Sequence, residues 1–167
     1  MLIERIHLHH IQLPYVHPFE TSFGREQHRE AILVAVESDG LLGWGECVAG
    51  SGPWYSYETM GTAWHVLVDY LAPALLGQEI GQPEQVAPRF SRVRGHAMAR
   101  ASLENAVWDL LGRAQGLSLA TMLGGVRRAV AVGVSVGIEP TLEELLAQVE
   151  GYVAAGYARV KLKIKPG

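Results

Sequence analysis

The last part of the chain contains the pattern that most restricts its fold. Val130–Ile138 is a continuous apolar run, typical of a strand buried on both faces. Thr141 begins a capping-box pattern for a helix, and Arg159–Ile164 has the composition of a second strand. Strand, helix and strand together predict one βαβ unit, whose two parallel strands need further strands beside them. We therefore expect a truncated chain, in which this unit begins a larger sheet that lies outside the 167 residues.

The first part of the chain has the patterns of an antiparallel meander. Asp39-Gly40 favours a tight type I′ turn between two strands. A long loop, His17–Arg29, is predicted to precede them, because Pro14 lacks a backbone donor and should end the first strand. The three predicted strands are Leu2–Leu13, Ala31–Glu37 and Leu41–Glu46.

Helical periodicity follows the predicted strands. Apolar residues recur at helical spacing from Trp64 to Leu75, and a further helix is expected to begin at Pro83. The clearest apolar stripe is Ala97–Gln115, which Gly116 should terminate. Residues 1–125 are therefore predicted to form an α+β domain, with residues 126–167 as a separate βαβ segment.

Length, charge and composition exclude several classes of protein. A complete eightfold β/α barrel needs about 250 residues, so this chain of 167 residues cannot hold one. The net charge is −3 and no basic cluster is present, so neither nucleic acid nor a membrane is an expected partner. Charged residues near the N-terminus and the lack of a long apolar stretch favour a cytoplasmic protein. Cys47 is the single cysteine, so no internal disulfide is possible.

Three lysines alternate along the last predicted strand. Lys161, Lys163 and Lys165 are spaced two residues apart, so their side chains should project to one face. Ammonium groups that are close together and partly dry have their charged form disfavoured, which suits a proton-abstracting site. The pattern also fits an edge strand whose lysines face water and block aggregation, and the spacing alone does not separate the two interpretations.

Three motifs carry a resemblance to a known family. They are GWGEC at Gly43–Cys47, SLENAVWDLLGRAQGLSLATMLGG at Ser102–Gly125 and VKLKIKPG at Val160–Gly167. Together they resemble the muconate-lactonizing subgroup of the enolase superfamily. The KLKI-x-PG form and the aromatic loop GPWYSYET are most similar to the o-succinylbenzoate synthase and N-acylamino acid racemase family.

The resemblance implies a fold and a catalytic pair. Residues 1–125 would be the capping domain, and residues 126–167 would begin a β/α barrel whose remainder is absent. Lys163 would be the acid/base catalyst at the carbon α to a substrate carboxylate, and Lys161 would tune it. A divalent metal, usually magnesium, would offset the charge that develops on proton removal. Its three carboxylate ligands and an opposing lysine would lie beyond Gly167, so this chain should hold no metal site.

Two loops and one strand residue are candidates for substrate binding. In the resembled family, capping-domain loops close over the barrel mouth, which makes Phe19 and Tyr55 the candidate contacts, although packing onto their own domain is an equal alternative. Ser135 lies near the end of the first predicted barrel strand and is either a substrate ligand or a small filler residue. His7 and His9 share a strand face, but no carboxylate near them in sequence completes a metal site, and none is assigned.

The predicted function is metal-dependent proton abstraction α to a carboxylate, as an N-acylamino acid racemase, an o-succinylbenzoate synthase or both. The partners implied are a small carboxylate substrate and, at full length, other copies of the protein. A dipeptide epimerase or cycloisomerase would use the same lysines. A non-catalytic α+β interaction module is the alternative from another class. The 167 residues alone are expected to be inactive.

Overall fold

The computed structural model describes residues 1–21 and 24–164. Their contacts divide the chain into two units. Unit 1 contains Met1–Leu13 and Arg29–Val126, and unit 2 contains Pro14–His28 and Arg127–Gly167. The domain boundary at residue 125 that the sequence suggests remains a prediction.

Three strands near the start of the chain form an antiparallel sheet. Its strands are β1 (Arg5–Thr21), β2 (Gly24–Ser38) and β3 (Leu41–Cys47), hydrogen-bonded in that order. Asp39 and Gly40 connect β2 to β3 and have φ angles of 50° and 75°, as a type I′ turn requires. The predicted hairpin is confirmed.

The predicted loop at His17–Arg29 is wrong, because β1 and β2 both extend through most of it. Pro14 and Pro18 lie within β1, which is an edge strand and, among the described residues, pairs only with β2. The two prolines are four residues apart, so their nitrogens point the same way. An edge strand tolerates proline where its nitrogen faces away from the neighbouring strand. The missing donor at Pro14 therefore does not end the strand.

Several helices follow the sheet in unit 1. The longest is α4, whose observed bounds match the predicted apolar stripe, and Gly116 ends it at φ 65°. The segment from Trp64 to Leu75 is helical as expected, with a π-helical turn between two α-helical pieces. The elements are α1 (Met60–Val66), the π-helical turn (Leu67–Leu71), α2 (Ala72–Leu75), a 3-10 turn (Pro83–Gln85), α3 (Val86–Arg89), α4 (Ala97–Gln115) and α5 (Leu119–Met122).

The core of unit 1 depends on a close approach between β3 and α4. Gly43 and Gly45 alternate along β3, so both face the helix. A Cβ on Gly45 would lie 2.9 Å from the Ala106 backbone nitrogen and would overlap the Ser102 carbonyl oxygen. Ser102 and Ala106 are themselves fully buried small residues. The two backbones can meet only because small side chains line both sides of the contact.

Asp109 fixes the same contact through a hydrogen bond. Its Oδ2 accepts the backbone N–H of Trp44 at 2.8 Å and the Nε–H of Arg113 at 2.8 Å. The carboxylate therefore joins α4 to β3, which gives this motif residue a structural role.

Unit 2 contains the βαβ unit that the sequence predicts. Its elements are β4 (Val134–Val136), α6 (Leu142–Ala154) and β5 (Val160–Leu162), and the two strands are parallel. Thr141 caps α6 by accepting the Glu144 N–H at 3.2 Å. Both strands are shorter than the segments that predicted them, Val130–Ile138 and Arg159–Ile164. In the described residues, no helix combines the length and the apolar character needed to cross a membrane.

We predict that Gly45→Ala destabilises the protein by about 1–3 kcal/mol or more, because neither backbone at the contact can move away cheaply. Gly151→Ala is the matched control, since Gly151 lies within α6 and a Cβ there meets nothing within 4 Å. That substitution should stabilise the protein by about 0.5–1 kcal/mol through helix propensity. Urea unfolding of both variants measures the difference. Equal midpoints for Gly45→Ala and the unaltered protein would contradict the close approach.

Candidate active site

The parallel pairing of β4 and β5 brings three predicted site residues to one face of unit 2. Ser135 is the register partner of Lys161, and partners in a parallel pair project to the same side. Lys163 is two residues beyond Lys161 and therefore shares this face. Its backbone N–H donates to the Val136 carbonyl oxygen at 3.2 Å, which ties it to β4. Lys165 lies outside the described residues.

Phe19 contacts Lys163 directly. The Nζ atom of Lys163 lies 3.7 Å from the centroid of the Phe19 ring, which is the geometry of a cation–π interaction. The Tyr15 ring lies 6.1 Å from the Phe19 ring, centroid to centroid, in a tilted arrangement. The structure therefore brings one predicted binding residue and one predicted catalytic residue together within unit 2.

A cavity of about 490 Å³ lies in unit 2, and Phe19 and Ser135 both line it. The segment Gly137–Pro140, which follows the carboxyl end of β4, also contributes, and β/α folds place their ligands at this end of the strands. The lining of the cavity combines apolar groups with charged and polar ones, so the cavity suits an organic ligand that carries polar groups. The lining residues are His17, Pro18, Phe19, Glu20, Arg25, Ser135, Gly137, Ile138, Glu139, Pro140, Gln148 and Tyr152.

Sequence analysis found Ser135 but missed the other polar residues of this cavity. Arg25 and Glu139 lie in segments that were predicted to be loops, and Gln148 and Tyr152 lie on an amphipathic helix, where polar residues usually face water. The position of Glu139, just after a predicted barrel strand, was the one signal that could have identified it.

Tyr55 lies in unit 1, in the segment between β3 and α1, and 88% of its surface is exposed. Its neighbour Trp54 is also exposed, at 71%. The base of this aromatic loop is closed, because the Met60 N–H donates to the Gly50 carbonyl oxygen at 2.8 Å. With Tyr57, which is also exposed, the loop presents three large rings to solvent from a closed base.

Glu58 anchors that base to the helix α4, and sequence analysis did not find it. Its carboxylate is buried, with 2% exposure, and accepts the backbone N–H groups of Met98 at 2.9 Å and Ala99 at 2.8 Å. These N–H groups belong to the first turn of α4, where no partner exists within the helix. His96, at the N-cap position, makes no capping bond with its side chain. A carboxylate from 40 residues earlier in the chain therefore caps the helix and complements its dipole.

His7 of β1 contacts a carboxylate of β2. His7 Nε2 lies 3.1 Å from Glu37 Oε2, a carboxylate that is distant from it in sequence. Arg5 also donates a hydrogen bond to Glu37. This bond has the largest effect and the contact with His7 the next largest, and together they lower the pKa of the Glu37 carboxyl to about 2. The antiparallel pairing of β1 and β2 explains the contact, since Glu37 is distant in sequence.

The described part of the chain does not fit a metal ion. It contains no group of three or more histidine, cysteine, aspartate or glutamate side chains that could hold one. The single thiol is no candidate either, because Cys47 is fully buried and burial raises the pKa of its thiol. No catalytic step is therefore derived through a metal ion held by these residues.

The chain is similar to proteins of the enolase superfamily in both structure and sequence. The chain aligns along its whole length with the structure of an enolase-superfamily member from Enterococcus faecalis V583, with a TM-score of 0.88 and 42% identity. The family model for the N-terminal domain of mandelate racemase / muconate lactonizing enzyme matches residues 5–124. The chain belongs to this family of the enolase superfamily.

Relatives with assigned activities cover nearly the whole chain. An o-succinylbenzoate synthase from Geobacillus stearothermophilus is 51% identical over 98% of the chain. An N-succinylamino acid racemase from an Amycolatopsis species is 46% identical over 100% of it. The structure of the L-Ala-D/L-Glu epimerase from Bacillus subtilis aligns over 98% of the chain, with a TM-score of 0.86 and 29% identity. The chain spans 44%, 45% and 45% of these three proteins, respectively, and 46% of the Enterococcus protein.

We predict that Glu58→Ala destabilises the protein by about 1–3 kcal/mol, because two buried N–H groups lose their acceptor. Glu58→Gln should cost less, since its amide oxygen still accepts one of the two bonds. Glu46→Ala is the control, as Glu46 is an exposed residue of β3 and its loss should change stability by less than about 0.5 kcal/mol. Thermal unfolding of the three variants tests the order, and equal effects of Glu58→Ala and Glu46→Ala would contradict the capping role.

Proposed function

We propose that the protein containing this chain moves a proton at the carbon α to a carboxylate, as an N-acylamino acid racemase, an o-succinylbenzoate synthase or both. The observation that carries the proposal is the shared face of Ser135, Lys161 and Lys163, with Phe19 against Lys163. The named activities of the two sequence relatives support this reaction class.

Each residue of the site has a proposed role. Lys163 takes the α-proton from one face of the substrate, or returns a proton to that face. Lys161 lies beside it on the same strand face, where its charge favours a negatively charged substrate group. Ser135, Phe19 and Tyr55 bind the substrate, the serine through its hydroxyl and the aromatic residues through their rings.

A divalent metal, the magnesium that the family resemblance implies, would neutralise the negative charge of the substrate carboxylate when bound. Its ligands would come from residues outside this chain, because the described residues offer no such cluster. The structure of a related protein from Roseovarius nubinhibens contains magnesium, which supports this choice of metal. The 167 residues alone are accordingly proposed to be inactive.

We also propose a two-domain organisation for this chain. Residues 1–125 are proposed as the capping domain and residues 126–167 as the start of a β/α barrel. The partners are a small carboxylate substrate and further copies of the protein in a homo-oligomer, with no role for nucleic acid or a membrane. A cytoplasmic location fits a small-molecule enzyme of this kind.

A dipeptide epimerase is the second candidate, because a solved epimerase shares the fold of this chain. A cycloisomerase would use the two lysines in the same way. A non-catalytic interaction module has less support, since the relatives that match nearly the whole chain are named enzymes.

The decisive experiment assays the full-length protein that contains this chain on three substrates under the same conditions. They are an N-succinylamino acid, the dehydration substrate that yields o-succinylbenzoate, and an L-Ala-L-Glu dipeptide. Turnover of either of the first two, with little on the dipeptide, supports the proposal. Turnover of the dipeptide alone would favour the epimerase, and no exchange of an α-proton in any of them would overturn the reaction class.

We predict that Lys163→Ala lowers exchange of the α-proton with solvent on one stereochemical face by at least about 100-fold, the scale of a lost general acid or base. Exchange on the other face should remain, because the opposing base lies elsewhere. Lys161→Ala should reduce exchange on both faces, and Lys165→Ala should have a small effect. Deuterium incorporation followed by NMR separates the faces. Loss of exchange in Lys165→Ala, with retention in Lys163→Ala, would place the catalytic lysine two positions later.

A further inference from the structure

The contact between Phe19 and Lys163 suggests a role for the ring that substrate binding alone does not explain. The ring centroid lies 3.7 Å from the lysine Nζ, so the ring already has a partner within the protein. Phe19 is 44% exposed, which means that burial in a core does not account for its position. The ammonium is the group that the ring face holds.

Both ends of this contact are attached to regular structure. Phe19 lies in β1, and its ring has the Tyr15 ring beside it. Lys163 directly follows β5, and its backbone N–H is bonded to Val136 of β4. The backbones are therefore held by strand pairing, and the freedom that remains belongs to the long lysine side chain.

A lysine side chain has four rotatable carbons and a compact charge, so its ammonium samples many positions unless something restricts it. An aromatic face attracts an ammonium with a preferred position over the ring. Proton transfer requires the nitrogen to be within hydrogen-bond reach of the substrate carbon's proton, and small misplacements are costly. A ring that fixes the lysine nitrogen thus acts on the reaction through the lysine.

We propose that Phe19 is a positioning residue for Lys163: its ring, which also lines the cavity, holds the lysine ammonium in place. The role deepens the proposed function, on which its catalytic consequence rests. A positioning residue affects proton exchange on the one substrate face that Lys163 serves. A residue that only contacted the substrate would instead affect the affinity for the substrate as a whole.

The contact itself can be tested without any activity. Lysine labelled with carbon-13 at Cε reports by NMR on every lysine of the protein, including Lys161, Lys163 and Lys165. The Lys163 signal is the one that disappears in Lys163→Arg. An aromatic face at this distance should shift its ε-methylene protons upfield of the other lysine signals. Phe19→Leu should remove the upfield shift, and Phe19→Tyr, which retains the ring, should keep it.

The catalytic consequence is measured as a ratio between the two faces of the substrate. Lys163→Ala identifies the face that Lys163 serves. In Phe19→Leu, deuterium incorporation on that face should fall roughly 2- to 30-fold relative to the opposite face, which is the range that the free energy of a cation–π contact allows. Phe19→Tyr should restore the ratio of the unaltered protein.

Each outcome decides one part of the proposal. A Lys163 signal with no upfield shift in the unaltered protein would overturn the contact. An upfield shift with equal losses on both faces in Phe19→Leu, or with a higher KM alone, would make Phe19 a substrate contact and overturn the positioning role. If no substrate is turned over, the proposed function fails, while the NMR comparison still decides whether the ring holds the ammonium.

Discussion

The packing of β3 against α4 is the contact on which unit 1 depends. Two backbones approach so closely there that a methyl group on Gly45 would overlap main-chain atoms of the helix. Such an approach buries main-chain surface and leaves few ways to relax after a substitution. The hydrogen bond from the Trp44 N–H to Asp109 then fixes the position of the strand along the helix. The glycines of the GWGEC motif thus serve packing, and the motif identifies a fold before it identifies a reaction.

Local patterns predicted those parts of the structure that local physics determines. The bounds of α4, its glycine termination, the Asp39-Gly40 turn and the Thr141 cap each depend on a few neighbouring residues. The length of β1 did not follow from such patterns. Proline interrupts a central strand but is compatible with an edge, and whether a strand lies at an edge is a property of the whole sheet.

The capping of α4 by Glu58 shows a second limit of sequence analysis. A cap is usually sought within the residue or two before a helix, and His96 gives no such signal. The acceptor comes instead from a loop far earlier in the chain, where a glutamate resembles any other polar loop residue. The shared face of Lys161 and Lys163 could be predicted, because alternation along a strand is visible in the sequence. The contact between Lys163 and the Phe19 ring could not be predicted in this way. Pairs that meet across long separations need the fold itself.

The burial of Cys47 gives the chain a reporter of its own motions. This residue ends β3, has no exposed surface, and is the single cysteine of the sequence. A thiol reagent can reach it only when the segment around it opens transiently, so the rate of labelling reflects the free energy of that opening. Cys47 is two residues after Gly45, which makes the close contact with α4. Its labelling rate would therefore increase if that contact loosened locally, even when the protein as a whole stays folded. The interior of unit 1 can thus be probed through a natural thiol, with no engineered cysteine.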